Sequence, residues 1–391
     1  MFDITIYCPD THILYNAAVP DQKGVGGGLM ARIRLAQALT RMGHQVTIIA
    51  HVTHRHRHAN VDYIPLDNAS EKRETDILIL ISSGGDLSLE PALNIKLNAK
   101  WRSIWVQGTP FIRGVDKLAW NEIVPCSNFI HTMINTEWAL SEPNCFTIYN
   151  GAPYPQVSLF GKLVKRNPCR LIYTSHPSKG LSAAIAVLEK LRSVDKRYHL
   201  FVYGGDSMYG GKDSTPDVHS GVTYFGTRRH AEALSALRTS LVSFQLQARP
   251  EPFGMVLTES MLHGAIPLAS PVGAYPELVS HGQNGILIEG DYASDEAHSL
   301  AAEWILRLNQ DPQLAAYIRR NAMNIPWDWD TMAKVWAGYW DWALNRKGTL
   351  LPGRQGCRRC DGELLALADG YHCIGCGWYY QSLGSLQTET G

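Results

Sequence analysis

The sequence predicts an α/β protein made of two successive parallel-sheet domains followed by a small metal-held appendage. Three observations carry this expectation. A strand, a glycine cluster, a helix and a second strand open the chain; the same alternation restarts near residue 170; and four of the eight cysteines fall within the last 35 residues. A chain of 391 residues exceeds one ordinary core and suits two domains with a small addition.

The elements follow in order. FDITIYC (2–8) is apolar and β-branched, GVGGG (24–28) follows, and LMARIRLAQALTRMGHQ repeats its apolar residues at helical spacing until Gly43 ends it. VTIIAHV completes a βαβ unit, and DYIPL (62–66), DILILIS (76–82), RSIWVQG (102–108), EIVPCS (122–127) and CFTIYNG (145–151) read as further strands. This gives a first domain over 1–151. APYPQVSLFGKLVKRNP has three prolines and no clear period, so 152–168 is a linker. RLIYTS (170–175), LSAAIAVLEKLRSV (181–194) and YHLFVYGG (198–205) restart the grammar, and GVTYFG, SLVSFQL, AIPLAS and GILIE carry it through a second domain over 169–327. Strands alternating with helices make mostly parallel sheets covered on both faces, and a cleft between two such domains is a common ligand site. The segment 328–347 is an aromatic-rich helix expected to pack back on the first domain.

Composition removes several function classes. With 45% hydrophobic and 18% charged residues the chain is globular, and 36 basic against 36 acidic residues produce no field that would gather nucleic acid. No basic n-region and no run of about 18 apolar residues occurs, so the expected location is cytoplasmic, without a membrane span. The isolated Cys8, Cys126, Cys145 and Cys169 fit buried free thiols in a reducing compartment. By contrast CRRC (357–360) and CIGC (373–376), joined by a hairpin's length of chain, have the spacing of a four-thiolate zinc ribbon over 354–381, with Cys357, Cys360, Cys373 and Cys376 as ligands to a structural zinc. A pair of redox disulfides is the alternative. Arg354, Arg358 and Arg359 beside Trp378, Tyr379 and Tyr380 would suit stacking on single-stranded nucleic acid, but docking on a neighbouring domain or partner is the favoured role. HRHRH (54–58) reads as a solvated edge rather than a metal site.

The stretch EPFGMVLTE sets Glu251 and Glu259 eight residues apart around a Pro-Phe-Gly turn, just before a predicted helix. It resembles the E-x7-E signature of the GT4 family of retaining glycosyltransferases, which have the GT-B fold of two Rossmann-like domains facing a cleft. Other elements fall in that family's order over roughly residues 1–346: the glycine cluster, GHQV (43–46), Asn150-Gly151, HPSKGL (176–181), GAYPELV (273–279) and HGQNGIL. The resemblance does not extend to the cysteine ribbon.

The resemblance implies a hexosyltransferase that retains anomeric configuration, uses a nucleoside diphosphate sugar and needs no catalytic metal. Its acceptor would be a hydroxyl on a polysaccharide, a lipid-linked glycan or a small-molecule glycoside. Glu251 and Lys179 would be the catalytic residues, with Glu251 on hydroxyls of the donor sugar and Glu259 on the ribose. Gly26, Gly27, Gly28, Thr174, Lys179, Phe253, Gly254, Met255 and Val256 would complete the donor site. Backbone N–H groups at a helix start, the helix dipole and a lysine point charge favour a diphosphate there. Two positions depart from the family: Thr174 stands where many relatives carry Arg, and Gln107-Gly108-Thr109 where many carry His. His176 and Arg249 lie near enough in sequence to compensate. A catalytically degenerate scaffold acting through the ribbon, and a sugar-nucleotide epimerase, are the alternative functions. Since relatives often use lipid-linked acceptors, Arg32, Arg34, Arg41, HRHRH and KLVKR (162–166) are candidates to face anionic lipid at the inner membrane face.

Overall fold

The structure is a computed structural model that describes residues 1–14, 18–22, 24–141, 143–154, 166–209, 211–213, 217–345, 350–351 and 356–381. Most of the predicted linker, all but the last residue of KLVKR, and Arg354 lie outside the described residues. The elements begin with β1 (Asp3–Tyr7), α1 (Val19–Gln22), α2 (Gly27–Arg41), β2 (Gln45–Ala50), β3 (His56–His58), β4 (Val61–Pro65), β5 (Glu74–Ser82), β6 (Asn98–Val106), β7 (Glu122–Pro125) and α3 (Asn128–Glu137). Then come β8 (Arg170–Tyr173), α4 (Leu181–Val194), β9 (His199–Tyr203), β10 (Val222–Gly226), α5 (His230–Thr239), β11 (Val242–Gln245), α6 (Met255–His263), β12 (Ile266–Ala269), α7 (Tyr275–Leu278), β13 (Ile286–Leu287), α8 (Asp295–Gln310) and α9 (Pro312–Met323). The chain closes with α10 (Trp329–Asn345), β14 (Leu350–Leu351), β15 (Leu364–Leu367), β16 (Gly370–Cys373) and β17 (Tyr379–Tyr380).

Two compact units result. The first holds Met1–Ala17, Gly27–Gly151 and Pro326–Gly391, the second Ala18–Gly26 and Ala152–Ile325. In the first, a seven-stranded sheet has the order β3-β4-β2-β1-β5-β6-β7, parallel except for the β3–β4 edge pair. Its central strands are apolar on both faces because helices cover both, and Ile4, Ile6, Ile48, Ile79 and Ile104 are fully buried. CFTIYNG runs beside β7, with Phe146 N donating to Ile123 O and Ile148 N to Pro125 O, yet pairs through a single bridge at Cys145.

In the second unit the order is β10-β9-β8-β11-β12-β13, all parallel, so the direction of winding reverses between β8 and β11. Residues 18–26, which the sequence assigns to the first domain, group with this unit. Their short helix α1 packs on α5, and Gly24 lies so close to Thr227 and Arg228 that an added Cβ would stand 3.0 Å from the Arg228 carbonyl.

The aromatic helix α10 belongs to the first unit. Trp336 meets Trp105 at 5.5 Å and 75°, Trp340 meets Phe2 at 6.3 Å and 85°, and Arg41 on α2 pairs with Asp330 at 2.5 Å. Beneath it sits a buried acid. Glu122, at the start of β7, is inaccessible to solvent and accepts from Ser103 Oγ at 2.6 Å and Trp101 Nε1 at 3.0 Å. Burial pushes its carboxyl up to about 7, against the opposing pull of hydrogen bonds from Ser103, Tyr339 and Trp101. Between the ordinary carboxylate value and 7 the folded state therefore binds more protons than the unfolded chain, so this group's stabilising contribution falls as pH rises through that window. Glu122→Gln is expected to flatten the fall in melting temperature between about pH 5 and pH 7.5, and to melt higher than the parent above pH 7. An unchanged slope in a pH series of thermal melts would refute this assignment.

Candidate functional site

In an open parallel sheet, loops leaving the carboxyl ends on either side of the winding reversal diverge and leave room for a ligand. In the second unit these are the loops after β8 and β11, and they carry Lys179 and Glu251. Lys179 Nζ reaches Glu251 Oε1 at 2.5 Å, with the two side chains 19% and 13% exposed.

The backbone that sets this pair is built from glycines at left-handed φ. Gly180 has φ +94°, and a Cβ there would fall 1.7 Å from the Leu246 carbonyl oxygen, so the Lys179 loop lies directly on the end of β11. Gly273, at φ +59°, admits the Glu251 backbone, whose N and O would each be 2.4 Å from an added Cβ; Ala274 N donates to Glu251 O at 2.9 Å. Gly254, at φ +98°, caps α6 without a side-chain bond and packs on the Tyr275 ring. The first bond inside α6 runs from Leu257 N to Gly254 O, so the N–H groups of Met255 and Val256 precede it at the positive end of the helix. Phe253 is 2% exposed and anchors the turn.

Around Glu251 the structure adds residues with no motif of their own. Gln247 Nε2 donates to Glu251 Oε1 at 3.2 Å and lies 3.0 Å from the Tyr275 hydroxyl, which donates to Gln245 Oε1 at 3.2 Å. Glu259, 7% exposed on α6, accepts from His230 Nε2 at 2.7 Å. Thr174 is buried and its Oγ1 has no hydrogen-bond partner. His176 bridges Ser178 Oγ and Asp206 Oδ1, each at 2.7 Å, whereas Arg249 is exposed.

Residues 173–324, which contain all of these side chains, match the family described as Glycosyl transferases group 1. This stretch is a group 1 glycosyltransferase domain. Among curated relatives, the phosphatidyl-myo-inositol mannosyltransferase of Mycolicibacterium smegmatis is 26% identical over 158 residues, 40% of either chain. The glycogen synthase of Bordetella petrii is 34% identical over 98 residues, 22% of this chain and 18% of that one. The chain thus matches well under two thirds of the length of these relatives. Among solved structures, Anabaena Alr3699/HepE in complex with UDP-glucose superposes with a TM-score of 0.62 at 16% identity, covering 87% of this chain and 99% of that one. Sucrose-phosphate synthase from Thermosynechococcus elongatus gives 0.60 at 16%, covering 88% and 100%. At these identities the likeness is one of fold, and the fold is GT-B.

Outside the group 1 domain, the carboxyl ends of the first sheet are tied by a buried network. Asp10 accepts from Ser82 Oγ at 2.6 Å and Ser83 N at 2.9 Å, and Arg32, 2% exposed, reaches Cys8 Sγ at 2.6 Å, Ser83 Oγ at 3.2 Å and Asp10 Oδ2 at 3.6 Å. For Arg32 the expectation that the first helix turns its arginines to lipid is therefore corrected. Arg32 neutralises a buried aspartate, half-buried Arg34 bonds Gln37, and exposed Arg41 is held by Asp330. Arg166, the described residue of KLVKR, donates to the His263 carbonyl at 3.0 Å; burial, then Arg319 and Arg238, push it down to about 10. Among the described residues no helix is long and apolar enough to cross a membrane.

Gln107 and Asn150 exchange amide hydrogen bonds of 2.8 and 3.1 Å, which fastens the Asn-Gly end of the first unit. The glycine cluster is used in packing. A Cβ on Gly28 would meet Ser83 at 2.5 Å and one on Gly26 the Tyr209 ring at 2.9 Å, while Gly27 opens α2. HRHRH supplies the edge strand β3, where His56 stacks on Tyr63 at 4.9 Å.

The ribbon holds the candidate metal centre. The sulfurs of Cys357, Cys360, Cys373 and Cys376 all lie within 4.8 Å of one another. The Cys357–Cys376 and Cys360–Cys373 separations are both 3.5 Å. A tetrahedral thiolate set with bonds of about 2.3 Å places sulfurs roughly 3.8 Å apart, so the donors fit zinc in type and spacing. The four-stranded antiparallel sheet β14-β15-β16-β17 docks on its own unit. Trp378 meets Trp327 edge-on at 5.1 Å, His372 meets Phe146 at 5.1 Å, Lys334 pairs with Asp369, and Gly377 lies against Thr147. Of the aromatic residues considered for nucleic acid, Trp378 is engaged in this contact, with Arg359 lying 4.2 Å over its ring.

Proposed function

We propose that this protein is a retaining hexosyltransferase that moves a sugar from a nucleoside diphosphate sugar to an acceptor hydroxyl, without a catalytic metal. The observation that carries the reading is the Lys179–Glu251 pair, with the glycine-capped start of α6 following Glu251 and Glu259 one turn into that helix. Lys179 and the N–H groups of Met255 and Val256, behind Phe253 and Gly254, offer positive charge and donors to a diphosphate. Glu251 accepts from hydroxyls of the sugar and Glu259 from the ribose. Thr174, whose buried hydroxyl has no protein partner, is assigned to the donor site as part of the same proposal. Gly26, Gly27 and Gly28 are assigned to donor approach as part of the same proposal. Stabilising the departing diphosphate is the main catalytic demand, and a preorganised cation and helix start meet it without a protein nucleophile. Zinc in the ribbon is structural, and a cytoplasmic location is proposed with it.

Relatives of this fold solved with UDP and UDP-glucose make UDP the first nucleotide to try. Thermal melts of the full chain with UDP, GDP, ADP and their glucose conjugates, without added metal, test the reading. One nucleotide at 100 times its dissociation constant is expected to stabilise the fold by about 2.7 kcal/mol. NMR of the product should show the donor's anomeric configuration, and added magnesium should leave the rate unchanged. An inverted anomer overturns retention. No shift with any nucleotide, from folded protein carrying zinc, would favour a non-catalytic scaffold.

A further inference from the structure

Glu259 is assigned above to the donor's ribose, yet one of its oxygens is already engaged. His230, the first residue of α5, places Nε2 2.7 Å from Glu259 Oε1, and the two side chains are 11% and 10% exposed. The contact joins neighbouring helices 29 residues apart in sequence, so it fixes the carboxylate from outside its own helix. His263, one turn along α6, bonds the Glu259 carbonyl through Nδ1 at 2.9 Å; burial first of all holds its ring below the ordinary imidazole value. Arg238 is a further charged group near His263, and Arg229 and Glu232, paired at 2.6 Å, flank His230 in sequence. His230 therefore supplies the hydrogen bond that orients the Glu259 carboxylate.

We propose that His230 is a positioning residue for ribose recognition: it holds Oε1 of Glu259 so that the other oxygen is presented to the ribose hydroxyls. This rests on the reading of Glu259 as the ribose ligand. A carboxylate that turns freely must be ordered as the sugar arrives, and one already clamped is not. The bond also offsets the cost of keeping a nearly buried carboxylate ionised close to where a diphosphate binds.

The experiment is calorimetric titration of the full chain with UDP, GDP and ADP and with their 2′,3′-dideoxy counterparts, on the parent, His230→Ala, His230→Gln and Glu259→Ala. The His230→Ala change is expected to weaken the preferred ribonucleotide about tenfold, the size of a charge-assisted hydrogen bond. The dideoxy form should weaken less than about twofold, because the hydroxyls that read the carboxylate are gone. His230→Gln, which can still donate an N–H, should recover most of the loss. Equal weakening of ribo and dideoxy forms, or none for either, overturns the inference. If Glu259→Ala itself leaves the preference for ribo over dideoxy intact, the ribose reading falls and the inference with it. A loss of preference in Glu259→Ala but not in His230→Ala sinks the inference alone.

Discussion

Replacing Glu251 with Gln is expected to lower kcat for sugar transfer by about 10²–10³-fold while leaving nucleoside diphosphate binding unchanged or slightly tighter. The two halves of this result have separate causes. Gln keeps the side chain's length and one acceptor oxygen, so Gln247 and the fold around Gly273 and Gly254 retain their packing. What disappears is the negative charge that holds Lys179 at 2.5 Å and that, on the proposed reading, accepts from sugar hydroxyls. Lys179 then becomes an uncompensated cation in a mostly buried place, an unfavourable state that a diphosphate relieves. Nucleotide affinity therefore cannot fall through Lys179. Removing the lysine is the opposite case: Lys179→Ala leaves Glu251 as an unpaired anion beside the same site and is expected to weaken nucleotide binding. Kinetics and titrations on the two variants check this crossed pattern. Parallel losses of nucleotide affinity in both would show that the pair acts as a structural clamp.

Withdrawing metal from the ribbon is expected to unfold residues 356–381 outright. The ribbon's own core is small, consisting of Cys357, Leu364, Cys373 and Cys376 with Tyr371, Trp378 and Tyr380 against it, and three of its buried members are candidate metal ligands. A structural zinc of this kind contributes roughly 10–16 kcal/mol of folding free energy, far more than a single leucine core supplies. Losing it also releases Trp378 from Trp327 and Lys334 from Asp369, so the effect reaches α10 and the Tyr149–Trp327 contact beneath it. One zinc per chain by elemental analysis, a lower first melting transition with chelator, and red-shifted tryptophan emission are the expected readings. Cys373→Ser should reproduce them without chelator. A chelated protein with unchanged emission and melting would show that docking alone holds the ribbon.

The predicted alternation of strands and helices is legible because side-chain period is a local property. LSAAIAVLEKLRSV coincides with α4, and DILILIS lies within β5. The cysteine pairs are equally local, since two C-x2-C turns joined by a hairpin can close only a short distance apart. The E-x7-E spacing places Glu259 on α6 and Glu251 in the loop before it, because Gly254 stops the helix from starting sooner.

Tertiary structure decided what depends on contacts between distant segments. Arg32 sits in an amphipathic helix like any solvated arginine, and only the approach of β1 and the Ser82–Ser83 turn buries it against Asp10. Residues 18–26 read as part of the first domain, yet α1 finds its apolar cover on α5. The partners of the two glutamates, Gln247 with Tyr275 and His230, have no spacing that marks them, because each is delivered by a different loop or helix of the second sheet. Sequence by itself therefore determined the two parallel-sheet domains, the glycine-capped carboxylate turn and the thiolate set, all of which follow from short-range periodicity and backbone freedom. Which groups clamp those carboxylates, and what the ribbon rests on, followed from strand order, which pairs residues by where their elements pack and leaves no local trace in the chain.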